Sequence, residues 1–119
     1  PDGKVYVADT WNYRVQVFEP LPGGLQYNSV FFWDVDAWQS QSLDNKPFLT
    51  LDGSGNVLLT DPDRGRVIVF DEEGNFKYLW GGFDNSYLMT TISGITLGKN
   101  GEIWVSDAAN NSLLKFVIE

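Results

Sequence analysis

The sequence predicts an all-β fold, an incomplete β-propeller assembled from four-stranded antiparallel blades. Three observations point there. One stretch is written three times: Asp2–Phe18, Gly55–Phe70 and Gly101–Phe116 each run through a strand, a polar turn opened by Asp, and a second strand closed by Phe. The copies recur at a period of roughly 40–50 residues, with Asp9, Asp61 and Asp107 in register, a spacing typical of radial or stacked repeats. Finally, Gly, Asn and Asp cluster between short runs of β-branched and aromatic residues, the pattern of hairpins rather than helices.

The elements follow in order. Lys4–Ala8 and Arg14–Glu19 are strands separated by the polar turn Asp9-Thr10-Trp11-Asn12-Tyr13. The middle unit is complete, with strands at Phe48–Leu51, Val57–Thr60, Val67–Phe70 and Phe76–Trp80. Its turns Asp52–Asn56 and Asp71–Asn75, and Lys99-Asn100-Gly101 in the last unit, supply residues that tolerate positive φ. Val67-Ile68-Val69-Phe70 is apolar on both faces, as a strand covered on both sides must be. The expected blades are 1–36 (partial), 43–83 (complete) and 92–119 (partial). About ten strands make about two and a half blades, against roughly 4–8 in closed propellers. The expectation is therefore a fragment of a larger propeller, with Pro1–Glu119 self-associating to cover its open faces. The surfaces expected to do so are Arg14–Phe18 with its hairpin partner at one end and Leu113–Ile118 at the other.

Composition narrows the chemistry. The 119 residues carry a formal charge of −8, with 8 Lys and Arg against 16 Asp and Glu and no basic cluster. Nucleic acid is thereby disfavoured as a partner, because positive charge supplies most of that affinity. There is no Cys and no His, which removes thiol nucleophiles, thiolate metal sites and the usual neutral-pH base. No apolar run reaches the roughly 20 residues that a membrane helix needs.

The run Asp-Gly-x-Val-x-Val-Ala-Asp-x-x-Asn-x-Arg-Val-x-x-Phe resembles the NHL repeat. The resemblance is closest over Asp2–Phe18 and holds over Pro47–Trp80, where Arg64 stands in place of the usual Asn. It is looser over Ile92–Phe116, where Ser112 replaces the Arg present as Arg14 and Arg66. The resemblance implies propeller blades, in a family that spans binding scaffolds and lyases. Lyase relatives place His and metal at the propeller axis, and this chain has no His. RNA-binding relatives use a basic face, which is also missing here. A fainter resemblance, to repeats attached to multi-pass bacterial membrane proteins, would put the blades outside the cytoplasm on a membrane-attached parent.

Recurrence itself separates scaffold from site. Asp9, Asp61 and Asp107, with Arg14 and Arg66, return in successive units and suit turn-anchoring roles. In an up-and-down blade, the turns between second and third strands share one end with the inter-blade connections. That end gathers Trp11, Tyr13, Trp38, Arg64 and Tyr87, the expected ligand-binding residues, alongside Phe83, Asp84 and Asn85. Aromatic faces beside amides and carboxylates suit a protein, peptide or glycan ligand. Trp33 and Trp38 have a competing role, packing the longer connection. No cofactor is expected. The oxygen-rich pairs Asp34/Asp36 and Asp61/Asp63 suggest calcium, but that ion needs about six to eight converging oxygens, and Asp52–Asn56 lacks EF-hand spacing. The function expected is a non-catalytic protein- or ligand-binding scaffold. The alternative is a metal-assisted lyase or hydrolase whose catalytic residues lie mainly in blades outside this sequence.

Overall fold

A computed structural model describes residues 2–39, 46–81 and 89–118. Ten strands form three antiparallel sheets in chain order. The first blade holds β1 (Val5–Asp9), β2 (Arg14–Pro20) and β3 (Tyr27–Asp34). The second holds β4 (Leu49–Leu51), β5 (Val57–Asp61), β6 (Arg66–Phe70) and β7 (Phe76–Gly81). The third holds β8 (Ile92–Leu97), β9 (Ile103–Asp107) and β10 (Ser112–Phe116). Each blade is an up-and-down meander, and the central hairpin of the repeat is β1–β2 in the first blade, β5–β6 in the second and β9–β10 in the third. Among the described residues no helix is long and apolar enough to cross a membrane.

The three hairpins share one register. Val5 opposes Phe18, Val57 opposes Phe70, and Ile103 opposes Phe116. Side chains alternate between faces along a strand, so this shared register sends equivalent positions of every blade to the same side. Two apolar layers result. Tyr6, Ala8, Val15, Val17 and Trp33 of the first blade pack against Val57, Leu59, Ile68 and Phe70 of the second. The opposite face of the second blade, Leu58, Val67 and Val69, packs against Ile92, Ile95, Ile103 and Val105 of the third. The strand β6 is buried on both faces, as its continuous apolar run requires. Each aliphatic side chain in these layers contributes roughly 1.5–3 kcal/mol by leaving water.

Polar groups lock the stack. Thr60 is fully buried, and its hydroxyl donates to the Ser93 carbonyl oxygen of the third blade at 2.8 Å while accepting from the Phe48 N–H at 2.9 Å. One hydroxyl thus ties two strands of one blade to the next. At the far end, the Trp33 ring lies over Gly74, where a Cβ would come within 2.7 Å of the indole. Gly74 also has φ +87, so the turn between β6 and β7 needs glycine for both conformation and space.

Candidate partner-binding end

Each central hairpin turns at the Asp that ends its leading strand, Asp9, Asp61 or Asp107, and re-enters the sheet five residues later. In the first blade Thr10–Asn12 forms a single 3₁₀ turn, closed by Tyr13 in the left-handed region at φ 54. The Asp9 carboxylate spans this turn, accepting from Asn12 Nδ2 at 3.0 Å and from Arg14 Nε at 2.8 Å. The Arg14 bond, reinforced by Asn12, holds the Asp9 carboxyl below its ordinary pKa despite the opposing effect of burial.

The same anchor is built differently in the other blades. Asp61 is fully buried, accepts from Arg66 Nε at 2.8 Å, and receives the Trp38 backbone N–H at 3.4 Å. Asp107 has no arginine opposite, because Ser112 takes that place. It accepts instead from the Thr90 hydroxyl at 2.9 Å, the Thr90 and Thr91 N–H groups, and Asn110 Nδ2 at 2.9 Å. Burial pushes the Asp107 pKa up, but these donors outweigh it and the net shift is downward. The turn-anchoring role expected for the recurrent Asp and Arg is the one they occupy.

The left-handed position recurs as well. Tyr13, Gly65 and Asn111 stand at the same place in their turns, with φ of 54, 58 and 50. Sequence reading missed this, although Gly65 and Asn111 are the residue types that tolerate such a conformation. At Gly65 the inter-blade connection passes so close that a Cβ would sit 2.5 Å from the Met89 carbonyl oxygen. Val35 likewise donates its N–H to the Tyr13 carbonyl at 2.8 Å. The connections therefore run over the turns, at the end assigned from strand parity.

The five residues expected to bind a ligand have different fates. Trp11 is 60% exposed and Tyr13 39% exposed, both on the first turn. Arg64 is half-buried on the second turn and pairs with Asp36 at 3.8 Å. Trp38 is a correction. It is 2% exposed and sits inside the first apolar layer with φ 63, and its indole N–H donates to the Thr60 carbonyl at 2.9 Å. Its competing role, packing the connection, is the one it fulfils. Tyr87, with Phe83, Asp84 and Asn85, lies outside the described residues.

One member of each acidic pair considered for calcium is engaged by protein donors. Asp36 accepts from Gln39 Nε2 at 3.0 Å and pairs with Arg64, while Asp61 is held by Arg66. Among the described residues no three acidic side chains converge as a cation site would require.

The NHL repeat family model matches residues 1–18 and 90–116. The chain is a partial NHL-type β-propeller. The family model passes over the middle unit, the one that carries Arg64 where the flanking units carry Asn12 and Asn110. The NHL-type blades superpose on solved structures with a TM-score of 0.59 for selenomethionine-substituted virginiamycin B lyase from Staphylococcus aureus and 0.60 for a streptogramin B lyase. Identity to each is 17%, over 98% of this chain and 38% of theirs. At that identity the likeness is one of fold. This NHL-type propeller thus spans well under half the length of those lyases. No curated protein matches it in sequence.

Proposed function

We propose that these blades form a binding scaffold. The end bearing the hairpin turns would present Trp11, Tyr13 and Arg64 to a neutral or basic peptide segment of a partner protein. One observation above all supports this reading. The recurrent carboxylates that could have served chemistry are committed to turn donors, while two aromatic side chains of the first turn are held at the surface. Aromatic side chains present large contact area at low conformational cost. The exposed Asp36 near Arg64, on a chain of net charge −8, favours a partner without strong negative charge.

Peptide and glycan arrays probed with the whole chain test the proposal. Binding to neutral or basic peptides that Trp11→Ala weakens, with thermal stability unchanged, supports it. Preferential binding to glycans would change the ligand class. Chelator-sensitive turnover of a streptogramin-type lactone by the protein, lost on mutation of an axis-facing residue, would overturn the scaffold reading in favour of an enzyme.

A further inference from the structure

The shared hairpin register identifies which surfaces are built as blade-to-blade faces. In the second blade, Val57, Leu59, Ile68 and Phe70 face the preceding blade and are buried. Val5, Val7, Gln16 and Phe18 hold the same register positions in the first blade. Three of these four are apolar, and Val5 and Val7 are 44% and 41% exposed. Phe32, paired with Gln16 on β3, extends the same face and is 53% exposed. Among the described residues no blade covers this incoming face of the first blade.

The third blade carries the opposite half. Leu58, Thr60, Val67 and Val69 make the outgoing face of the second blade, and Trp104, Ser106, Leu113 and Lys115 stand at those positions in the third. Trp104 takes the place held by Tyr6 in the first blade, and Ser106 that of Ala8. Leu113 is 65% exposed, and the Lys115 ammonium lies 5.7 Å from the centre of the Trp104 ring, leaving its stem along the face.

We propose that a second copy of this chain covers both faces, with the outgoing face of each copy stacked on the incoming face of the other. The two faces are halves of a contact the chain already makes twice within itself, so the geometry required is one these side chains already adopt. Three sheets from each of two copies, one of four strands and two of three, give six blade positions, inside the roughly 4–8 that close a propeller. A two-fold axis then satisfies both open faces at once, which turns a head-to-tail contact into a closed ring rather than a filament. Stacking, not edge pairing, is the mode. The strand β2, which contains Arg14–Phe18, lies between β1 and β3 and has no free edge; its partner β1 does have one, and β10 places Lys115 on its open edge strand, a residue that discourages strand addition.

Sedimentation of the whole chain in moderate salt, which screens the charge of −8, tests the proposal first. The expected result is a reversible equilibrium between 13.4 kDa and twice that mass. Val7→Asp should weaken association about tenfold or more while the β-type circular dichroism persists. Leu25→Asp, at a side chain 98% exposed in the β2–β3 loop, should not weaken it. The chain has no native Cys, so disulfide trapping fixes orientation. Mixing Val7→Cys with Leu113→Cys should yield the mixed covalent dimer in excess over either homodimer. A monomer at all concentrations would overturn the proposal and assign the faces to blades outside this sequence. Dominant Val7→Cys homodimers, or species that grow without limit, would overturn the head-to-tail ring.

Discussion

Arg66 Nε lies 2.8 Å from Asp61 Oδ2, and the Asp61 side chain it neutralises is completely withdrawn from water. The Arg14–Asp9 pair of the first blade has the same 2.8 Å separation but keeps about a quarter of each side chain exposed. Identical geometry therefore has different consequences. Removing Arg66 leaves a buried carboxylate without its cation, a loss of about 3–5 kcal/mol. Removing Arg14 leaves Asp9 in contact with solvent, a loss of about 1 kcal/mol or less. Urea unfolding of Arg66→Ala and Arg14→Ala should show that ordering, and equal costs would contradict it.

The left-handed turn position separates binding from folding. Tyr13 adopts φ 54, where an ordinary side chain costs roughly 1–2 kcal/mol. Tyr13→Gly should leave thermal stability equal or higher while weakening partner binding. Gly65→Asn is the contrasting case. Asn tolerates the same φ, but its Cβ would press on the Met89 carbonyl oxygen, so the variant should melt at lower temperature.

Trp38 and Trp11 should behave as opposites. Trp38 is buried with its indole N–H bonded to Thr60, and Trp38→Ala should destabilise the chain by about 3–5 kcal/mol. Trp11 is mostly exposed, and Trp11→Ala should shift stability by about 0.5 kcal/mol or less while reducing affinity. Measuring both properties on both variants checks the assignment.

Acid should weaken the fold through the turn carboxylates. Arg14 and then Asn12 lower the Asp9 pKa against burial. At Asp107, burial raises the pKa, and the combined donors from Thr90, Asn110 and Thr91 reverse it. Both folded-state values lie below the unfolded value of about 3.9. The unfolded chain therefore binds more protons in that window. Stability from these groups is fully present above that unfolded value and is lost as pH falls through the lowered ones. Urea midpoints should fall steeply from about pH 4 downward. Asp107→Asn should lose stability at neutral pH and flatten part of the acid slope. An unchanged slope in that variant would contradict the role given to Asp107.

Strands and turns were legible because their signals are local. The β-branched runs set β5 and β6 almost to the residue, and Asp52–Asn56 and Asp71–Asn75 fold as the tight turns their composition suggests. The family model diverges from that local reading at the middle unit, whose hairpin nevertheless has the same register as its neighbours. The end of the blades where the connections meet was legible from strand parity. Which aromatic residue stays exposed there was not. Trp11 and Trp38 both sit in polar surroundings in sequence, and nothing nearby distinguishes them.

The sequence by itself determined the repeat, the hairpin register, the turn-anchoring Asp and the absence of His and Cys from any chemistry this chain performs. Alternation, turn propensity and composition act over a few neighbouring residues, so they can be read without the fold. Only the tertiary structure decided that Trp38 goes inside, that Asp61 is sealed while Asp9 is wet, and that Thr90 replaces an arginine at Asp107. Those outcomes depend on where each inter-blade connection crosses the next turn. The contacts join residues 16 to 30 positions apart, such as Arg66 with the Asp36 carbonyl and Thr91 with Asp107. At that separation it is the stacking of blades, not local preference, that brings the partners together.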